Sequence, residues 1–486
     1  MNLGRFNILF LLVILFGSFS LSGQKLVSVI NDAEQSVFTV ESYKKDSRVK
    51  DIASGFFISA DGIAVTKASL FLGSDSVVVK MRNGKLYLPD KIISVHPYAN
   101  LALIKIKRQR RQKGIPYLQL SRSTIAALHE VLIFCDPSQA EKGIVVENVK
   151  STGSFPFIGR YGIIEPNLGS RSFGAPVINL KGKLTGIYGS DEDFFTNVIY
   201  SSGILNDSLW VDINIDAIDK TSVHQNKKLF VPYLNHAVLF YLSGDYTEAS
   251  KFFTYQMKYS PDSYNLYCLR AMARFKDDDR SGGESDIDHA KELYPNGSFA
   301  TYVKGMYYLE SGEEEEAYDC FKECLMFDPE FTPAKVEHAR LEWKLYNRIQ
   351  KAYSEFNEVI DLDSLNGDAY YERARLSLQF SSNEDLAFED LNRAIYLDPS
   401  LPGVYSLRGV MKLSKKDFQS AINDFTKAIE HNKNDVHAYF NRGIAFFNIG
   451  MKKSACKDWK RAGDLGNYSA YKYISRYCSG SVTQRY

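Results

Sequence analysis

Gly409 to Phe425 reads GVMKLSKKDFQSAINDF: a small residue, a second small residue at Ala421 twelve positions on, and a large apolar one at Phe425 four beyond that. The pattern recurs through the second half of the chain. Ala421 belongs to a ladder of Ala249, Gly283, Ala317, Ala352, Ala387, Ala421 and Ala455, spaced 34 or 35 residues apart. Four residues after each comes Phe253, Ile287, Phe321, Phe356, Leu391, Phe425 or Trp459, one helical turn along the same face. Twelve or thirteen before each comes Ala237, Ala271, Gly305, Ala339, Ala374, Gly409 or Gly443. Pro261, Pro295, Pro329 and Pro399 close four of the units, because proline lacks an N–H and clashes with the preceding turn.

Two antiparallel helices per unit, meeting at small residues that let their backbones approach, account for this pattern. It closely resembles the tetratricopeptide repeat (TPR), whose period is 34 residues. The resemblance covers residues 230–469 as seven repeats. Residues 470–486 then form a capping helix and tail that shield the last apolar face from water.

A chain of 486 residues whose repeats begin only near residue 230 must supply another fold in its first half. A net charge of +1 argues against a nucleic-acid surface as its main business. Residues 1–23 combine Arg5, the apolar run Ile8 to Phe16 and the small-x-small site Ser20-Leu21-Ser22, which is the make-up of a secretory signal peptide. Nine apolar residues fall short of the roughly twenty a membrane span needs. An exported, periplasmic or otherwise extracytoplasmic protein with no transmembrane span in the mature chain is expected.

Export permits disulfides, and six cysteines are present. Cys456 and Cys478 lie at equal distance from a turn near Asn467, so antiparallel helices would bring them to one height. A staple and two separately buried thiols both remain open, because height does not fix side-chain direction. Cys324 fills a small-residue slot and is expected simply to be buried.

Between residues 25 and 215 the texture changes to short runs rich in Val, Ile, Phe and Ser. Phe56 to Ile58, Ile63 to Val65, Val77 to Met81, Leu101 to Ile106, Val131 to Phe134 and Leu184 to Tyr188 read as strands of an all-β domain. Three stretches are more particular. Ala53 to Thr66, ASGFFISADGIAVT, is similar to the hairpin leading to the catalytic histidine in trypsin-like proteases of the HtrA (Deg) type. Asn100 to Ile106, NLALIKI, resembles their aspartate-bearing strand, and Phe173 to Ile187, FGAPVINLKGKLTGI, their nucleophile loop. The resemblance implies a multidomain chain: an N-terminal all-β double barrel (trypsin-like), a linker at 216–229, and an all-α TPR solenoid.

That chemistry needs a nucleophilic serine, a histidine to take its proton and an aspartate to orient the histidine. Carried over residue by residue, the histidine slot falls on Ser69, the aspartate slot on Asn100 and the serine slot on Phe173, so the catalytic set is empty and the domain reads as a pseudoprotease. Arg171 replaces the loop glycine that helps shape the oxyanion hole. Ser172 adjoins the nucleophile slot, and His96 lies four residues before Asn100 in an expected loop; neither has a partner set. Phe173 is expected to plug the cleft or to floor it for a bound segment. The basic run Lys105 to Lys113 reads as a solvated connector.

In TPR arrays the first helix of each pair lines the concave face. The resemblance puts Leu234, Val238, Cys268 and Met272 there in the first two repeats, and Tyr302, Met306, Tyr371, Arg375, Phe440 and Ile444 further on. The expected partner is a protein or peptide segment with apolar anchors. No metal spacing or phosphate-cradling loop occurs, so no metal or cofactor is expected. The expected function is an exported non-catalytic adaptor or scaffold, with envelope association. The alternative is a divergent trypsin-like serine protease of envelope protein quality control, working through Ser172 or Ser69.

Overall fold

The computed structural model describes residues 20–45, 48–71, 74–107, 114–121, 125, 127, 129–135, 143–165, 168–189, 197–206, 210–216, 233–380 and 383–478. Most of the expected signal peptide, the basic run beyond Lys107, the linker beyond Asp216 and the tail after Cys478 lie outside them. Helix Ser20–Glu34 runs through the expected cleavage segment. Among the described residues no helix is long and apolar enough to cross a membrane. The chain divides into two compact units, Met1–Pro295 and Asn296–Tyr486.

The first unit opens with two antiparallel sheets. The eight-stranded one runs, in spatial order, Val211–Asp216, Pro89–His96, Leu101–Ile106, Ile63–Lys67, Val49–Phe57, Val37–Tyr43, Ser76–Met81 and Leu86–Tyr87. The seven-stranded one runs Ser151–Phe155, Gly159–Ile164, Asn197–Ser201, Leu184–Tyr188, Pro176–Asn179, Glu130–Ile133 and Val145–Asn148. Every run read as a strand from sequence overlaps one of these, with Ile58 and Phe134 each one residue beyond the observed strand end. Each sheet closes over its own apolar core: Phe38, Val40, Phe57, Val79, Ile92 and Ile104 in the first, and Ile125, Ile133, Val177, Tyr188 and Ile199 in the second. Alternation along Val37–Tyr43 shows why: from Phe38 on, its buried residues sit at every second position, one face to the core and one outward. This is the all-β double barrel expected of the first half.

Seven helix pairs follow, from Leu234–Ser243 with Tyr246–Met257 to Val436–Asn448 with Lys452–Asp464. Among the described residues, six helices of these pairs follow an Asp or Asn whose side chain accepts the main-chain N–H three residues on: Asp245, Asp279, Asn366, Asn383, Asp417 and Asp435. Such a cap satisfies a donor the helix cannot. The ladder's apolar residues are the knobs of the packing; Phe253, Phe321, Phe356, Leu391, Phe425 and Trp459 are fully buried. Their hosts must be small. A Cβ added at Gly305 would stand 2.7 Å from the Phe321 ring, and one at Gly443 would stand 2.5 Å from Trp459.

Beside the knobs lies a polar device that hydrophobic patterning does not reveal. Arg270, Arg373, Arg408 and Arg442 each send Nε to the aspartate of the paired helix, Asp286, Asp390, Asp424 and Asp458, at 2.7–2.9 Å. Each also sends Nη1 to the preceding unit's second helix, to Thr254, Asn357, Asn392 or Thr426. One guanidinium therefore fixes the register of a pair and ties it to its predecessor. In the fourth unit the same two positions hold His338 and Glu355, 2.8 Å apart.

The array ends in helix Tyr468–Tyr473 and the turn Ile474–Cys478, whose Tyr473 and Tyr477 rings cover Trp459. Cys456 and Cys478 form a disulfide, their α-carbons 5.8 Å apart, pinning this cap to the last repeat. The other cysteines, Cys135, Cys268, Cys320 and Cys324, are buried thiols.

Two outcomes follow. Asp390→Ala strands Arg373 in a mostly buried setting and lowers stability by about 3 kcal/mol, read as a drop in the urea midpoint at unchanged m-value. Reducing the Cys456–Cys478 bridge, which closes a 22-residue separation, costs about 3 kcal/mol. Hydrogen exchange under a dithiol reductant then rises in residues 468–478 before it rises elsewhere in the array.

Candidate functional site

The three slots named from the sequence lie on elements that meet the nucleophile loop. Strand Ile63–Lys67 runs into the short helix Ala68–Phe71, which carries Ser69, and Asn100 precedes strand Leu101–Ile106. Strands Ile63–Lys67 and Leu101–Ile106 pair side by side, Lys67 opposite Leu101, which brings the two slots together. The Ser69 main-chain N–H donates to Asn100 Oδ1 at 2.9 Å, and Asn100 Nδ2 donates to Ser69 Oγ at 3.1 Å. Asn100 holds a left-handed backbone, φ 53°, a conformation asparagine tolerates better than most residues. The pair consists of a hydroxyl and an amide. Neither accepts a proton near neutral pH.

Phe173 occupies the third slot with its ring fully buried. Its carbonyl accepts from the Ser54 N–H at 2.9 Å, and the Arg171 carbonyl accepts from Ser54 Oγ at 3.1 Å. The loop is thereby tied to the first sheet. Gly174, at φ 82°, lets the chain turn there; a Cβ on it would lie 2.7 Å from the Ser54 carbonyl. Lys67, buried and 3.3 Å from Asp51, places its ammonium 5.5 Å from the centre of the Phe173 ring. The apolar face of that ring thus meets a cation as well as hydrocarbon.

The two alternative catalytic residues are placed elsewhere. Ser172 is fully buried and its Oγ donates to the Leu168 carbonyl at 2.6 Å. His96 ends strand Pro89–His96 instead of lying in a loop; it is fully buried, and its Nδ1 accepts from the Ala99 N–H. It packs edge-on against Trp210. A buried histidine closing a turn in this way is a packing residue.

The groove positions of the second unit are half-buried, not free. Tyr302 and Met306 pack on the Phe321 core and Phe440 and Ile444 on the Trp459 core. Burial pushes the Tyr302 phenol upward. Arg375 is the exposed one, its guanidinium 4.9 Å from the Trp343 ring and 5.8 Å from the Tyr371 ring, with Nη1 on Glu372 at 2.7 Å. Beside it Arg340 holds Glu337, Asp368 and Glu372. Burial pushes the Glu337 carboxyl up despite the Arg340 cation. The apolar reading of the groove missed these carboxylates. Glu337 and Glu372 stand three residues before Arg340 and Arg375, a spacing that marks them as facing pairs.

Residues 53–187 match the family model of the trypsin-like peptidase domain, and residues 300–331 that of the tetratricopeptide repeat. Among curated proteins, the chain is 30% identical over 151 residues to a probable periplasmic serine endoprotease DegP-like of Ectopseudomonas mendocina, covering 29% of this chain and 30% of that one. It is 27% identical over 183 residues to a protein of the same description from Pseudomonas putida, covering 36% and 35%. Serine protease HTRA1A of Danio rerio is 28% identical over 179 residues, covering 33% and 36%. The chain thus spans about a third of the length of the curated relatives it matches. A solved structure, "Functional Characterization of Pseudomonas Aeruginosa pilF", superposes with a TM-score of 0.40 at 12% identity, over 44% of this chain and 96% of its own, too loosely to bear on function. The chain joins a trypsin-like fold to tetratricopeptide repeats.

Phe173→Ser supplies a hydroxyl at the nucleophile slot but removes a fully buried ring. It is expected to cost about 3–5 kcal/mol, seen as a lowered thermal midpoint, and to bring no ester or peptide hydrolysis, because no base stands at Ser69.

Proposed function

We propose that this chain is an exported, non-catalytic adaptor that binds protein partners through its repeat groove and keeps an inactive protease-like domain as a second docking surface. The observation that carries this reading is the filling of the three slots. Ser69 and Asn100 hydrogen-bond to one another, and Phe173, at the position the resemblance gives to the nucleophile, has a buried ring. Acyl transfer needs a nucleophile activated by an adjacent base. Ser172 spends its hydroxyl on Leu168, and Ser69 has an amide beside it.

Export is supported by the make-up of residues 1–23 and by the periplasmic description of the bacterial relatives. The groove would take a segment whose apolar or aromatic side chains lie against Tyr371 and the Trp343–Arg375 stack. Arg340 and Arg375, with their carboxylates, would set polar register around it. The trypsin-like fold would then present surface and shape, with no turnover.

A fluorophosphonate probe tests this directly, since it labels serines by the nucleophilicity that catalysis requires. The purified full chain is expected to take up no label above the heat-denatured control. Stoichiometric labelling abolished by Ser172→Ala or Ser69→Ala would establish the divergent protease instead.

A further inference from the structure

The barrel and the first two repeats belong to one compact unit, and several of the interactions that join them meet at one turn. Tyr98, in the turn between strand Pro89–His96 and Asn100, is packed between the sheets and the repeats. Its carbonyl accepts from Asn235 Nδ2 at 3.3 Å, and its hydroxyl accepts from Asn265 Nδ2 at 3.4 Å. Asn235 stands in the first helix of repeat 1, and Asn265 in the first helix of repeat 2. Cys268, one turn beyond Asn265 and an expected groove position, is a buried thiol.

The second barrel takes part as well. Asn235 Nδ2 also donates to the Tyr200 hydroxyl at 3.1 Å. Phe157, at the tip of the hairpin joining Ser151–Phe155 to Gly159–Ile164, stacks on Tyr98 with ring centres 4.6 Å apart and planes 15° apart. Phe155 beside it meets Tyr241 of repeat 1 at 4.8 Å. One asparagine therefore bonds a turn of the first sheet and a strand of the second, and it is only 5% exposed. Of the groove positions expected in these repeats, Leu234, Val238 and Cys268 are buried.

From this arrangement we infer that repeats 1 and 2 use their groove face to bind the chain's own barrel, with Tyr98 as the inserted anchor. This end of the array is closed to outside partners, and their capture falls to the second unit. The chemistry is that of a specific interface: aromatic rings with satisfied polar tips, and side-chain amides reading a main-chain carbonyl and two phenols. It does not depend on whether the barrel catalyses anything. It predicts that the barrel stays bound when the covalent connection is cut.

The test inserts a protease cleavage site within residues 217–232 of the full chain, cleaves it after folding, and follows the two fragments by gel filtration and by analytical ultracentrifugation. Co-elution at micromolar concentration is expected; separation of the wild-type fragments would overturn the inference. The double variant Asn235→Ala, Asn265→Ala leaves the barrel sequence untouched and is expected to weaken fragment association at least tenfold, with circular dichroism of the repeats unchanged. An affinity equal to wild type would remove Tyr98 as the anchor. Tyr98→Phe separates the two contributions: losing only the hydroxyl, it should weaken association less than the double variant does, and a greater loss would contradict the assignment.

Discussion

Each repeat depends on one close approach, a large apolar side chain pressed against a residue with almost no side chain of its own. Where the host is glycine the clearance is below what any Cβ could occupy, as at Gly305 under Phe321 and Gly443 under Trp459. That approach sets the distance between the two helices of a unit and therefore the length of chain needed to return to the next. The arginine–aspartate pairs act on a second level. A hydrophobic face can slide by a turn at modest cost, whereas a guanidinium bonded to one carboxylate and to the preceding helix cannot. Knob and pair together give the array both cohesion and register.

The same economy governs the barrel. A trypsin-like fold needs its histidine and aspartate strands side by side whether or not they carry those residues. The chain keeps that geometry, and in it Ser69 and Asn100 bond each other. At the third position Phe173 is buried, with the Lys67 ammonium 5.5 Å from the centre of its ring and its carbonyl held by the Ser54 N–H. Filling the site with hydrocarbon makes the loop part of the core.

Much of the architecture could be read from the residues because it rests on periodicity. The ladder from Ala249 to Ala455 announces helix pairs, and the runs Leu101 to Ile106 and Leu184 to Tyr188 announce strands through their composition. The arginine pairs are equally periodic, with Arg one place before the small residue and Asp three places after the ladder, but polar residues in helices read as surface until their burial is seen. Other features have no local signal. Asn235 and Tyr98 are 137 positions apart, and nothing near either names the other. His96 looks like a loop histidine, and only the pairing of its strand puts it in the core.

The proposed adaptor reading requires that the chain turn nothing over, and peptide-bond hydrolysis is the most direct measure of that. Purified full-length chain would be incubated with an unfolded protein substrate, and the intact mass of that substrate followed over many hours by mass spectrometry. The expected result is an undiminished parent mass and no fragment above a buffer control. Fragments that accumulate in proportion to the chain added, and vanish with Ser172→Ala or Ser69→Ala, would contradict it.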